Sequence, residues 1–197
     1  MYRERKITFR ASKGGNATIE ALSRSLQAAA NGLDSKKDVL FLILTSHGSP
    51  DGLAIKAGRL TETLTPSRLG DMLAKTGVRH KVVVISACYS GIFVPRLATP
   101  DMLVITAADA NHPSFGCQDK AKWTYFGDAF FNVALRKAAN LKDAFLDALT
   151  RPEARIAGAF RAVQSPHGRR RRRAAIACRN ALDQGSLLPR ENARSGV

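Results

Sequence analysis

Six apolar residues run without interruption from Val39 to Leu44. Charge precedes the run and Thr45-Ser46 follows it. Such a pattern predicts a central parallel strand, buried on both faces. Val82-Val83-Val84-Ile85 predicts a second buried strand and Met102 to Thr106 a third. Between the first two, Thr65-Pro66 supplies a cap and a first-turn proline, so Pro66 to Thr76 reads as a helix closed by Gly77. Upstream, Lys6-Ile7-Thr8-Phe9-Arg10 alternates as a short strand and Gly14-Gly15 breaks it. Ala17 to Asn31 then reads as a helix, with Ile19, Leu22 and Leu26 on one face and Asn31-Gly32 as its stop. Ser49-Pro50-Asp51-Gly52 reads as a turn and Leu53 to Leu60 as a small hairpin. Asp128 to Ala138 and Leu141 to Leu149 read as helices. Strands alternating with helices at this spacing predict an α/β fold with a mainly parallel sheet and right-handed crossovers. Ligands in such sheets sit beyond the carboxyl ends of the strands.

The residues at those ends carry the candidate chemistry. The first strand runs into Ser46-His47-Gly48-Ser49, the second into Ser86-Ala87-Cys88-Tyr89-Ser90-Gly91. If the strands are neighbours, His47 and Cys88 meet across the sheet's upper edge. A thiol is a fair nucleophile, and an adjacent imidazole can take its proton or pair with the thiolate. The amides of Gly48 and Cys88 would point at a carbonyl under attack and form an oxyanion hole. Glycine at 48 lets the backbone approach a substrate with no Cβ in the way. A packed thiol and a solvated histidine are the plainer readings of each residue alone, and the pair at matching strand ends weighs against them. No Cys-x-x-Cys occurs, and no second histidine lies near His47 in the sequence, so no metal or cofactor is expected. No phosphate-binding glycine loop and no Gly-x-Ser-x-Gly elbow is present.

Charge alters the picture of how the chain is divided. Its 197 residues carry 31 Lys+Arg against 16 Asp+Glu, a net +15 that suggests a polyanion partner. Residues 1–150 hold 20 basic and 13 acidic residues, whereas 151–197 hold 11 basic and 3 acidic. The basic residues of the second part are all Arg, and Arg169 to Arg173 form an unbroken block, which normally stays disordered. The division expected is therefore a folded domain over 1–150 and an Arg-rich disordered tail over 151–197. Phe160 is the tail's one aromatic, so base stacking is poorly served and no specific nucleic-acid partner is expected. A salt-sensitive attraction of arginine to phosphate remains. The longest apolar run, six residues, is too short to span a bilayer, and no apolar stretch follows Met1 to Lys6 as a signal peptide would require. Three cysteines, Cys88, Cys117 and Cys178, cannot all pair, which argues against a disulfide scaffold and for a reducing compartment, such as the cytoplasm, or free thiols.

Three segments together resemble the legumain-type cysteine peptidases of clan CD, and most closely their bacterial branch. These are the His47-Gly48 and Ala87-Cys88-Tyr89-Ser90-Gly91 strand ends, and the stretch from Thr106-Ala107-Ala108 through Ser114-Phe115-Gly116-Cys117 to Thr124-Tyr125-Phe126-Gly127-Asp128. The likeness runs from about Lys6 to Leu149. It implies a three-layer caspase-like sandwich, with helices on both faces of the sheet. It implies His47 as general base and acid, Cys88 as nucleophile, and a thioester acyl-enzyme in the cleavage of a peptide or protein substrate. Ser114 and Asp128 fall on the positions that hold the substrate's first residue. Plainer readings stand beside these roles: loop hydrogen bonding for Ser114, and a carboxylate favoured by a helix N-terminus for Asp128. Tyr89 stands where legumain has an acidic residue that helps select asparagine, which puts asparaginyl specificity in question. The family's first strand, and the part of the pocket that follows it, are expected to be missing, with export or membrane attachment possible if such a segment exists. An inactive truncated relative with the same fold is the alternative, and a polyanion-binding protein acting through its arginines is a third reading.

The lysine-free tail also suggests a reading-frame shift or a misjudged gene end. Translating the gene's nucleotides in the two other frames tests this. The expected outcome is that one of them continues the family pattern beyond Leu149, and the idea fails if neither does.

Overall fold

Three hydrophobic runs become the strands of one sheet, and the segments between them supply the layers that cover it. The computed structural model describes residues 17–114 and 122–150, together with the backbone of Phe160–Arg161. The predicted strand Lys6–Arg10, the cysteines Cys117 and Cys178, and the five-arginine block lie outside the described residues.

Helix α1 spans Ile19–Ala30, and the Thr18 hydroxyl caps it by accepting from the Ala21 amide at 3.1 Å. Strand β1 is Val39–Thr45. A small antiparallel sheet follows: β2 Gly48–Ser49, β3 Gly52–Ala57 and β4 Leu60–Leu64. Helix α2, Pro66–Lys75, starts at the predicted Thr65 cap and first-turn proline, and Gly77 just beyond it takes the left-handed φ of +65°. Strand β5 is His80–Ser86. A 3-10 turn, Ser90–Phe93, then leads into the short helix α3, Val94–Leu97, which the sequence pattern did not reveal. Strand β6 is Met102–Thr106. A π-helical segment, Gly127–Ala134, and helix α4, Leu141–Leu149, follow. The two-residue strand β7, Phe160–Arg161, falls beyond residue 150 and pairs antiparallel with β6.

The main sheet has the order β1-β5-β6-β7. Strand β1 pairs parallel with β5 from Val39 opposite His80 to Thr45 opposite Ser86, and β5 pairs parallel with β6. One face packs against α1, α2 and α3, joining Leu26, Leu69, Leu73 and Leu97 to Leu40, Val83, Ile85 and Val104. The other face packs against the π-helical segment and α4, joining Phe126, Phe130 and Phe145 to Val82, Val84 and Ile105. The result is an α/β sandwich of three layers with a mainly parallel sheet and helices on both faces, as expected.

Two expectations need correction. Strand β1 is not buried on both faces: it is the edge of the described sheet, and Val39, Phe41 and Ile43 are 45–52% exposed. The cause lies in the second layer, whose aromatic residues pack over β5 and β6 and leave that face of β1 uncovered. The helix expected over Asp128 to Ala138 is π-helical over Gly127–Ala134, with the Leu135 amide donating to the Phe130 carbonyl at 2.8 Å, five residues back. Its phenylalanines pack tightly together. Phe126 stacks on Phe130 at 5.4 Å between centroids, and Phe130 meets Phe131 edge-on at 4.9 Å.

Lys81 is buried in β5, where its ammonium donates to the Val78 carbonyl. Burial pushes its pKa below the ordinary lysine value, and the nearby charge of Asp101 opposes the shift. The unfolded chain therefore binds more protons than the native one in the window just below 10.5. Lys81 consequently costs stability at lower pH, and that cost is relieved as pH rises through the window. Urea unfolding of wild type and Lys81→Met at a series of alkaline pH values is expected to show wild type closing on the variant as pH rises. A pH-independent difference would contradict the shift.

Candidate active site

The register of β1 on β5 sets the site. Thr45 stands opposite Ser86, so His47 and Cys88 each follow their strand by two residues. The Ser46 amide still reaches the Ser86 carbonyl, at 3.4 Å, so the two chains stay together beyond the last strand pair. The small sheet then holds the histidine segment from the other side. The His47 carbonyl accepts from the Ala54 amide at 2.9 Å, the Ser46 hydroxyl donates to the Ala54 carbonyl, and Gly48 pairs with Leu53. His47 is exposed and Cys88 is half-buried.

Glycine at 48 is a spatial requirement. A Cβ built on it would lie 2.0 Å from the Cys88 carbonyl oxygen and 3.3 Å from the Ala87 side chain. Backbone therefore touches backbone at the point where the two chains leave the sheet.

Beyond Cys88 the chain turns sharply. Tyr89 takes the left-handed conformation, φ 54° and ψ 16°, a sparsely populated region for a residue with a large side chain. Such strain concentrates at functional sites and persists where the surroundings over-determine it. Here the Tyr89 amide donates to the His112 carbonyl at 3.0 Å, and the Gly91 amide to the Asp109 carbonyl at 3.3 Å. The buried Ser90 hydroxyl accepts from the Ala108 amide at 3.1 Å and donates to the Ala108 carbonyl at 3.4 Å. A Cβ on Gly91 would lie 2.4 Å from the Asp109 carbonyl carbon, so the two loops are in full contact.

That contact delivers Ser114. Its hydroxyl lies 3.5 Å from the Cys88 sulfur and its carbonyl 3.6 Å away, both within reach of a thiol. Asp128 is exposed, and its carboxylate accepts from the Asn132 side chain at 2.8 Å, one turn along its own segment. Gly48, Cys88 and Ser114 are thus brought into contact, while the interaction seen for the Asp128 carboxylate is local. Trp123 and Tyr125, just before Asp128, are more than 40% exposed.

Two residues escaped the reading of the sequence. Asp109 and His112 sit on the same loop as Ser114, with His112 Nδ1 2.8 and 2.7 Å from the two carboxylate oxygens. The sequence places His112 far from His47, and only the β5–β6 pairing brings it beside the residue that follows Cys88. The Asp-x-x-His spacing after a strand was the available signal. Among the described residues no group of three His, Cys, Asp or Glu side chains could hold a metal ion. No described helix is long and apolar enough to cross a membrane.

A family model described as the peptidase C13 family matches residues 13–156, well over half of the chain. No curated protein matches it.

The contact at Gly48 has a direct test. Gly48→Ala must push the Cys88 carbonyl or the β2–β3 turn aside, a backbone displacement expected to cost about 1–3 kcal/mol. Thermal unfolding should show the loss. A variant that melts with wild type would contradict the close approach.

Proposed function

The chain belongs to the peptidase C13 family, the legumain-type cysteine peptidases, and on that footing we propose that it is a legumain-type endopeptidase using a His47–Cys88 dyad. The observation that carries the reading is the paired exit of β1 and β5, which sends a His-Gly and an Ala-Cys segment out of the sheet in register and in backbone contact.

Each step follows from ordinary chemistry at these atoms. His47 takes the proton of the Cys88 thiol, and the thiolate attacks the scissile carbonyl carbon. The carbonyl oxygen becomes an oxyanion, held by the amides of Gly48 and Cys88. Collapse of this intermediate breaks the C–N bond, and His47 returns its proton to the leaving amine. A thioester on Cys88 remains. Water, deprotonated by His47, attacks it, and a second collapse releases the acid and the thiol. An amine in place of water would give a new amide bond by the same route. Ser114, whose hydroxyl lies 3.5 Å from the sulfur, is the residue proposed to touch a substrate residue next to the scissile bond, and Asp128 is proposed for the same pocket. Tyr89, in place of an acidic residue, argues for a specificity other than asparaginyl.

The expected substrate is a peptide or protein. The second reading, an inactive relative, shares every feature of the fold and differs only in turnover.

A thiol-reactive peptidyl electrophile is expected to modify native Cys88 and to spare Cys117 and Cys178, as peptide mapping by mass spectrometry would show. His47→Ala should slow that labelling by about a hundredfold or more, the usual contribution of a positioned base. Labelling of denatured protein at the same rate as native would refute the activated dyad.

A further inference from the structure

Ser114 reaches Cys88 from 26 residues away in the chain, and the segment that carries it contains no regular secondary structure. Something must hold residues 109–114 in one conformation. The Asp109 carboxylate folds this segment on itself. Its Oδ1 accepts from the Asn111 amide at 2.8 Å and the His112 amide at 2.9 Å, and the His112 ring closes the loop through Nδ1. A carboxylate only accepts, so Nδ1 carries the proton and the ring is held in one orientation. The carbonyl of His112 faces the other way and takes the Tyr89 amide.

Pro113 makes this arrangement consequential. Its ring fixes its own φ and restricts the backbone of the residue before it. Little freedom is left between His112 and Ser114, so the setting of His112 passes directly to the side chain that touches the sulfur.

We propose that His112 is a positioning residue: paired with Asp109, it sets the His112-Pro113-Ser114 segment against Cys88 and so governs how tightly the site holds a peptide. The inference rests on the reading of Cys88 as nucleophile and Ser114 as a substrate-binding residue. Neither side chain of the pair is among the groups seen against the sulfur, so the pair is assigned no part in the attack itself. The His112 and Asp109 side chains are 36% and 29% exposed, so truncating the ring leaves no buried cavity and the fold is expected to survive.

The full-length chain, titrated with a peptidyl electrophile, separates the inhibition constant KI from the rate of inactivation kinact. His112→Ala is expected to raise KI about fivefold, the worth of one such hydrogen bond, with kinact within about twofold of wild type. His112→Asn, whose amide can donate from the position of Nδ1, should restore KI to within about twofold of wild type. Asp109→Asn keeps an oxygen to close the turn and removes the charge, and should raise KI in the same direction. Alkylation of native Cys88 by iodoacetamide should be the same in all four proteins. An unchanged KI in both His112→Ala and Asp109→Asn overturns the proposal, as does a raised KI that His112→Asn fails to rescue or a slowed iodoacetamide reaction. If wild type itself labels no faster than denatured protein, the reading of Cys88 falls, and this one with it. A wild type that labels well beside an unaffected His112→Ala overturns the positioning role alone.

Discussion

The parallel pairing of β1 with β5 is the constraint from which the rest follows. Seven consecutive residue pairs lock the two strands, from Val39–His80 to Thr45–Ser86. A slip of one residue would send every side chain of one strand to the opposite face. In β1 it would turn Leu40, Leu42 and Leu44 away from the core formed with α1, α2 and α3 and put Val39, Phe41 and Ile43 in their place, and it would part Gly48 from Cys88. The hydrophobic cores on the two sides of β5 therefore do more than stabilise the domain. They hold the relative height of the two strand ends, and that height determines whether an imidazole and a thiol leave the sheet side by side.

A second layer of control lies where β5 and β6 end. There the strands have ended, and the buried side chains next to them, Ala87, Ala107 and Ala108, are small. Polar contacts take over: Ser90 bonded both ways to Ala108, the Tyr89 amide on the His112 carbonyl, and the Asp109 carboxylate bridging its own loop. Each contact of this sort contributes only about 1 kcal/mol, but each removes a direction in which the loop could relax. Rigid strands set the coarse geometry of the site and these bonds its fine geometry. Tyr89 shows the combined effect, since a left-handed tyrosine persists only where its surroundings leave it no better choice.

Much of this was legible beforehand, for identifiable reasons. Strands β5 and β6 and helices α2 and α4 announced themselves because long apolar runs, a Thr-Pro cap and a closing glycine are local signals. The strand ends with His47 and Cys88 were legible because their residue types are rare in that position. What the sequence concealed was long-range. Nothing local in Val39–Leu44 says that the second helical layer stops short of it. The π-helical turns depend on how Phe126, Phe130 and Phe131 pack together, which period alone does not encode. The pairing of Asp109 with His112 is local, but its meeting with Tyr89 requires the β5–β6 register before it has any meaning. Asp128, singled out by resemblance, is seen bonded to Asn132, a contact that its own segment would make in any setting.

The open face of β1 bears on how the protein behaves in bulk. Val39, Phe41 and Ile43 form a row of greasy contacts on a molecule whose net charge is +15. Mutual repulsion between molecules and attraction between their apolar rows act against each other, with very different ranges. Repulsion reaches about 30 Å in dilute salt but about 8 Å at physiological ionic strength, whereas apolar contact is insensitive to such screening. Added salt thus removes the long-range barrier and leaves the short-range adhesion. Solutions of this protein should be colloidally most comfortable at low ionic strength, the reverse of the salting-in familiar from proteins of balanced charge.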